Sequence, residues 1–207
     1  MHNPWLDISL QDYEGHMSLP SIGQAQMLAD QFERLMKREL PSSVAVIGCA
    51  GGNGLDRIAA GALGRVVAVD INREYIDETS RRYSNRLPCL DLHCADVQSD
   101  TLRFEPVDLI YAALLFEYVD LSSALATLKR NCRPGGVLAA VLQLPHPDKD
   151  AVSPSPYTSL QALAPLMKLV APAELSRHAA RVGFTADESS TVELPSGKQF
   201  WLQTFRL

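Results

Sequence analysis

The sequence predicts a single α/β domain, a three-layer α/β/α sandwich around a seven-stranded, mostly parallel sheet that ends in an antiparallel hairpin. Three observations predict this fold class. Short apolar runs alternate with amphipathic segments along most of the chain, which is the pattern of βαβ units. Two β-rich runs joined by a Pro-Ser-Gly turn close the sequence. No internal repeat or linker divides the 207 residues, so we expect residues 1–207 to form one domain.

Residues 1–40 are predicted to form an N-terminal cap segment followed by a helix. Residues 1–20 are mixed in character, and we expect a loop there. A helix is predicted over 22–40, because apolar side chains recur there at helical spacing. These side chains are Met27, Leu28, Phe32, Leu35 and Met36.

Five apolar strands then alternate with three amphipathic helices. The strands are predicted over 44–48, 65–70, 89–96, 107–114 and 137–144. The helices between them are predicted over 54–63, 72–85 and 121–132. A last helix is expected over 173–183, before the hairpin strands over 184–194 and 199–207.

Residues 145–172 interrupt this rhythm. Six of the thirteen prolines lie in this stretch, which is long for a connection inside a compact domain. Because it also carries Tyr157, Leu160 and Met167, we expect a packed lid rather than disorder. The sequence therefore predicts an insertion that covers a substrate site.

Composition narrows the classes of partner. The net charge of -5 disfavours a nucleic-acid partner. No apolar run has the length of a membrane span, and residues 1–17 lack the features of a signal peptide, so we expect no membrane association. The four cysteines form no CxxC pair and are expected to be reduced core thiols of a cytoplasmic protein. No ligand-spaced cluster predicts a metal site.

The stretch "VIGCAGGNG" places a glycine-rich turn directly after the first strand. A phosphate-binding loop would need a lysine after the glycines, and none follows. The dinucleotide fingerprint G-x-G-x-x-G also fails, because Ala50 and Asn53 stand where its second and third glycines belong. A third possibility is a looser glycine-rich turn, in which the glycines let a ligand without a phosphate approach the backbone closely.

Over residues 42–207 the motifs resemble, in order, those of the class I S-adenosylmethionine-dependent methyltransferases. "VIGCAGGNG" is similar to the family's D-x-G-x-G-x-G loop, with Val46 in the place of the acid and Ala50 in the place of a glycine. "VVAVDIN", "CADV", "VDLIYAALLFEYVD" and "NCRPGGVLAAVL" resemble the following strands and their loops. The resemblance implies S-adenosylmethionine as the cofactor.

The resemblance also implies which residues bind this cofactor. Asp70 would accept the ribose hydroxyls, although it could instead cap the next helix. Asp96 and Val97 would address the adenine, although Asp96 could be a turn aspartate. Tyr13 or backbone carbonyls would hold the methionine ammonium in place of the missing acid. The remaining predicted contacts are Gly48, Cys49, Ala50, Gly52, Ile71 and Ala112.

Glu117, Tyr118 and His146 are the candidate catalytic residues. Glu117 could be a general base or a solvated loop charge, and His146 a catalytic or merely exposed histidine. His16 is a second histidine that could flank the cleft. We expect metal-independent, in-line methyl transfer to a small-molecule acceptor. The alternatives are a non-catalytic S-adenosylmethionine-binding protein and a nicotinamide-dependent oxidoreductase.

Overall fold

A computed structural model describes residues 3–207 and contains one seven-stranded sheet. The strand order is β3-β2-β1-β4-β5-β7-β6, and β7 alone runs antiparallel to its neighbours. This topology confirms the predicted fold class. The strands are β1 (Ser43–Ile47), β2 (Arg65–Asp70), β3 (Leu90–Cys94), β4 (Val107–Ala113), β5 (Cys132–Gln143), β6 (Thr185–Glu193) and β7 (Gln199–Arg206).

Helices cover both faces of the sheet. They are α1 (Leu10–Ser18), α2 (Gln24–Glu39), α3 (Arg73–Tyr83), α4 (Leu121–Arg130) and α5 (Pro172–Arg181). Phe32 of α2 and Ile76 of α3 pack into one core cluster, whereas Leu125 of α4 and Leu175 of α5 pack into the other. None of these helices, within residues 3–207, is long and apolar enough to cross a membrane.

The position of β1 determines where a ligand can bind. All five of its residues are buried, and it pairs with β2 on one side and with β4 on the other. The chain therefore proceeds outward from β1 in two directions. In open α/β sheets the crevice at the carboxyl ends of such a strand pair is the usual ligand site.

The helix predicted over 54–63 is wrong. The structure has only a short 3-10 helix, Leu55–Arg57, between β1 and β2. Within this range Gly54 and Gly61 have positive φ, which is incompatible with a continuous α-helix. Leu55 and Ile58 are nevertheless buried, so the periodic apolar residues serve a packed loop.

The loop predicted over 1–20 is wrong for residues 4–6 and 10–18, and residues 1–2 of that prediction lie outside the described residues. Pro4–Leu6 form a 3-10 helix, and Ser9 caps α1 by accepting a hydrogen bond from the Asp12 amide at 3.2 Å. The sequence signal for α1 is weak because the helix lies on the ligand crevice and not on the main sheet face. Its buried residues are Leu10, His16 and Met17, which do not form a regular apolar stripe.

Candidate functional site

A cleft of about 720 Å³, its open mouth included, lies at the carboxyl ends of β1, β2 and β4. We call it the glycine-loop cleft. Most of the predicted cofactor contacts line it: Tyr13, Gly48, Ala50, Asp70, Ile71, Asp96 and Val97. The catalytic candidate Tyr118 lines it as well. Tyr13 and Tyr118, which are 105 positions apart in the sequence, thus meet at one edge of the sheet.

The glycine loop is fixed to the end of β2. The amides of Gly48 and Cys49 both donate to the Val69 carbonyl, at 2.8 and 3.0 Å. Gly48 has φ +71° and Ala50 has φ +48°, a conformation that side chains rarely adopt. Leu114, on the opposite wall, has φ +52°. Strained backbone on both sides of one cleft is typical of a functional site.

Asp70 organises this edge of the cleft from a buried position. Its Oδ2 accepts from the Ala50 amide and its Oδ1 from the Asn72 amide, both at 2.9 Å. Burial raises the pKa of Asp70, and these amide donors act in the opposite direction. Asn72 is the residue that caps α3, so Asp70 is not needed as a cap. Each carboxylate oxygen retains acceptor capacity for a ligand.

Asp96 faces the cleft from the loop after β3. Its Oδ1 accepts from the Gln98 amide at 2.8 Å, which is an aspartate turn. Asp96, Val97 and Gln98 all line the cleft. The turn therefore positions this aspartate at the cleft wall, and its two sequence interpretations are compatible.

Three predicted cofactor contacts lie outside the cleft lining. Cys49 is buried beside the Ala50 carbonyl, and burial raises the pKa of its thiol. Ala112 is buried within β4. Gly52 has φ +88°, and a Cβ there would lie 2.5 Å from Cε2 of Tyr83. The structure thus gives Gly52 a packing role, since its nearest neighbours belong to α3 and the loop itself.

An aromatic wall separates the cleft from a second cavity. The ring of Trp5 lies edge-on to those of Tyr13 and Tyr118, with centroids 5.7 and 5.1 Å apart. Trp5 is held by its carbonyl, which accepts from the Asn72 side chain at 2.9 Å. Sequence reasoning did not place Trp5 in the site, because nothing local indicates that the N-terminal segment returns to β2.

The second cavity, which we call the lid cavity, encloses about 470 Å³ including its opening. It shares Trp5, Tyr13, Leu114 and Tyr118 with the glycine-loop cleft. Its other polar lining side chains are His16, Gln24, Gln143 and Ser153, and its apolar ones include Met17, Val152, Leu160, Leu163 and Met167. The two cavities therefore meet at the aromatic wall.

The lid segment (145–172) is packed against α1. Its 3-10 helix, Thr158–Leu163, places Ser159 2.5 Å from the Asp12 carboxylate. The Tyr157 ring occupies the space where a Cβ of Gly15 would stand. Leu160 and Leu163 form a small buried cluster together with Ile8. The lid cavity is thus enclosed by the N-terminal segment on one side and by the lid segment on the other.

Of the three candidate catalytic residues, one lines the cavities and two do not. Tyr118 lines both cavities. Glu117 is 1% exposed and lines neither: its Oε1 accepts from the Gln143 amide at 2.8 Å, and burial raises its pKa to about 7. It is therefore not a solvated loop charge. His146 is half-buried outside both cavities, where its Nδ1 accepts from the Asp148 amide.

The fold and the site define the class of protein. The strand order, the glycine loop after β1 and the carboxylates after β2 and β3 are those of the class I S-adenosylmethionine-dependent methyltransferase fold. Residues 45–140 match the sequence model of a family described as "Methyltransferase domain". The resemblance predicted from the sequence is thereby confirmed, with a matched region slightly shorter than half the chain.

The chain is also similar to particular proteins. Over 110 residues it is 29% identical to an uncharacterized 37.1 kDa protein in transposon TN4556 of Streptomyces fradiae. The matched stretch covers 52% of this chain and only 30% of that protein. The N-methyltransferase NodS from Bradyrhizobium japonicum WM9, in complex with S-adenosyl-L-homocysteine, superposes with a TM-score of 0.68 at 19% identity over 97% of this chain and 98% of that one.

A third similar protein is geranyl diphosphate C-methyltransferase from Streptomyces coelicolor A3(2), solved with Mg²⁺, geranyl-S-thiolodiphosphate and S-adenosyl-L-homocysteine. Its TM-score is 0.65 at 16% identity, over 86% of this chain and 75% of that one. At such identities the likeness concerns the fold.

Proposed function

We propose that this protein transfers a methyl group from S-adenosylmethionine to a small-molecule acceptor. The observation that carries the proposal is the pair of adjoining cavities with a shared wall. One is bordered by the glycine loop and two carboxylates, and the other is covered by a lid. A donor and an acceptor held in such cavities would meet at Trp5, Tyr13 and Tyr118.

The glycine-loop cleft has the chemistry for S-adenosylmethionine. In this proposal Asp70 would accept the ribose hydroxyls, and the Asp96–Val97 turn would face the adenine. The sharp backbone turn at Gly48 leaves room for the methionine part. Val46, in the place of the family's acid, is buried in the core, so we propose that the Tyr13 hydroxyl receives the methionine ammonium.

S-adenosylmethionine, when bound, supplies a methyl group already activated by a positive sulfur. The protein then has to align the acceptor, exclude water and receive a proton. Trp5, Tyr13 and Tyr118 are suited to the first two tasks, because aromatic faces attract a cation and displace water. We propose that the lid segment completes this enclosure around the acceptor.

The acceptor class, metal independence and cytoplasmic location are further parts of the proposal. The lid cavity is small and partly apolar, which suits a small molecule better than a polymer. Residues 3–207 bring together no group of three His, Cys, Asp or Glu side chains suited to a metal ion. NodS was solved with the demethylated cofactor product, which supports the same cofactor for this protein.

Calorimetry and thermal unfolding with S-adenosylmethionine, S-adenosylhomocysteine and NAD test the proposal. A ligand at one hundred times its Kd stabilises the native state by about 2.7 kcal/mol. For a chain of this length we expect a Tm increase of roughly 5–11 °C from both adenosyl ligands. A response to NAD alone would contradict the proposal and favour an oxidoreductase. Binding without turnover of any acceptor would favour a non-catalytic protein.

A further inference from the structure

His16 is the one side chain lining the lid cavity that can accept a proton near neutral pH. It lies in the last turn of α1 and is 4% exposed. Of the other polar residues that line this cavity, Gln24 and Gln143 are amides and Ser153 is an alcohol, and none of these groups is basic near neutral pH. Tyr13 and Tyr118 are phenols whose pKa values burial raises.

Ser155 of the lid segment orients the imidazole of His16. The Ser155 Oγ lies 2.8 Å from Nδ1 of His16, and it also accepts from the Tyr157 amide at 3.2 Å. With Nδ1–H donating to this hydroxyl, Nε2 carries the free lone pair. One ring nitrogen is thereby engaged by the lid, and the other remains for a ligand in the cavity.

The charges around His16 favour its neutral form. Burial lowers the pKa of His16, and Lys198, at the turn between β6 and β7, lowers it further. Lys198 is itself buried and donates to the Ala151 carbonyl at 2.8 Å. Tyr13 and Tyr118 are the titratable groups that share the cavity wall with His16. A neutral imidazole at neutral pH is ready to take a proton.

We propose that His16 is the general base of the lid cavity, and that the acceptor carries a phenol-type hydroxyl on a largely apolar body. This inference rests on the proposed methyl transfer. The acceptor oxygen bonds to the methyl carbon while the carbon–sulfur bond breaks, and sulfur keeps that electron pair. The hydroxyl proton passes to Nε2 of His16, and the imidazolium later returns it to water.

The acidity of the acceptor follows from the strength of this base. Histidine has an ordinary pKa of about 6.5 and a phenol one of about 10, whereas bulk water, which resembles aliphatic hydroxyls, is near 16. A weakened imidazole in a buried site is therefore much better matched to a phenol than to an aliphatic alcohol. Aromatic and thioether side chains in the wall suit a planar apolar body.

Turnover measurements with a set of acceptors test the proposed acceptor class. The probes are phenol, 2-naphthol and 4-phenylphenol, each compared with its amine analogue and with cyclohexanol, at saturating S-adenosylmethionine. We expect S-adenosylhomocysteine to form with at least one phenol, faster than with its amine or with the alcohol. Equal or faster turnover of the amines or the alcohol would overturn the acceptor class, as would failure of all three phenols.

His16→Asn keeps a donor toward Ser155 but cannot take the proton. We expect kcat to fall about 10²- to 10⁴-fold while the calorimetric affinity for S-adenosylhomocysteine is unchanged. His178→Asn is the matched control, because His178 makes a similar contact with Ser122 on the outer face of α4 and α5. Unchanged kcat in a folded His16→Asn variant would overturn the base. If the parent protein does not bind S-adenosylmethionine at all, that result would instead refute the proposed function.

Nitrogen NMR of the His16 ring in the parent protein does not depend on the folding of a variant. We expect a neutral ring protonated on Nδ1 at pH 7 with S-adenosylhomocysteine bound. Ser155→Ala should increase the fraction protonated on Nε2 and lower kcat without changing cofactor affinity. A parent ring protonated on Nε2 would contradict the proposal, since Nε2 would then have no lone pair.

Discussion

Replacing Glu117 with glutamine should remove a loss of stability that the parent protein undergoes as the pH rises from about 4.5 to about 7. The Glu117 side chain is buried, and desolvation raises its pKa from 4.5 to about 7. The amide of Gln143 donates to Oε1, whereas Oε2 is buried without a hydrogen-bond partner among the residues described. A glutamine can keep the first contact and carries no charge to desolvate.

The sign and the size of the effect follow from linkage. Because the pKa of Glu117 is higher in the folded than in the unfolded protein, its contribution to the free energy of unfolding is fully present below pH 4.5. This contribution is lost as the pH rises through about 7. At about 1.4 kcal/mol per pH unit, the loss is about 3 kcal/mol. We therefore expect Glu117→Gln and the parent to differ by about 3 kcal/mol more at pH 8 than at pH 4.5, in favour of the variant. This corresponds to a Tm difference of roughly 6–12 °C.

Urea and thermal unfolding of both proteins at several pH values between 4.5 and 8.5 measure this difference. Glu105→Gln is the control, because it removes the same charge from an exposed position. A stability difference between Glu117→Gln and the parent that is the same at pH 5 and pH 8 would refute the reasoning. Turnover gives a second outcome: because Glu117 lines neither cavity, we expect the variant to keep its activity, and a folded but inactive variant would support the catalytic role predicted from the sequence.

Four further perturbations probe the site. Asp70→Ala should weaken S-adenosylmethionine binding about 10- to 150-fold by calorimetry, at about 1.5–3 kcal/mol for a charged hydrogen bond; unchanged affinity would remove Asp70 from the site. Gly52→Val should lower the free energy of unfolding by more than about 1–3 kcal/mol, since the strain at φ +88° adds to a clash that Tyr83→Ala would relieve. No recovery in that double variant would contradict the packing role. Gly15→Ala should accelerate amide hydrogen exchange across the lid segment, whereas cofactor binding should slow this exchange in the parent protein. Equal exchange in all of these samples would argue against a lid. EDTA should leave methyl transfer unchanged, whereas a loss restored by Mg²⁺ would contradict metal independence.

The sheet could be predicted from the sequence because its strands carry their own signal. The central strand β1 is buried throughout and reads as a continuous apolar run. The order of the motifs then suffices for the topology, since parallel connections of this kind are right-handed. The terminal hairpin was equally predictable, because the Pro-Ser-Gly turn at 195–197 separates two β-rich runs.

The two local errors have a common physical cause. In 54–63 the apolar residues recur at helical spacing, yet Gly54 and Gly61 have positive φ angles, and Gly54 lies so close to Phe32 of α2 that a Cβ there would be 3.2 Å from its ring. In α1 the reverse holds, because the helix has a good cap but no regular apolar face. In both segments tertiary contacts determine the secondary structure, and the spacing of apolar residues in the sequence does not indicate those contacts.

Some residues of the candidate site could also be predicted from the sequence, and others could not. The positions of Asp70, which ends β2, and of Asp96, just after β3, could be predicted because the topology brings strand ends together. His16 and Ser155 lie 139 positions apart, and no motif connects them. Sequence reasoning favoured His146 because it follows β5 directly, but that side chain lies outside both cavities. Proximity to a strand end thus predicted the position of Asp96, in the turn directly after β3, but not that of His146, in the longer segment after β5.

The N-terminal segment links the two cavities mechanically. Asn72, next to the Asp70 carboxylate, holds the carbonyl of Trp5, and Tyr75 of α3 donates to the carbonyl of Ile8 at 3.0 Å. The turn that would receive the donor's ribose is therefore the turn that fixes the aromatic wall of the lid cavity. Arg82 of α3 adds a second tie, because it contacts both the Gly51 carbonyl and the carboxylate of Glu14 in α1. Direct hydrogen bonds through α3 therefore connect the glycine loop to α1, the helix that carries His16.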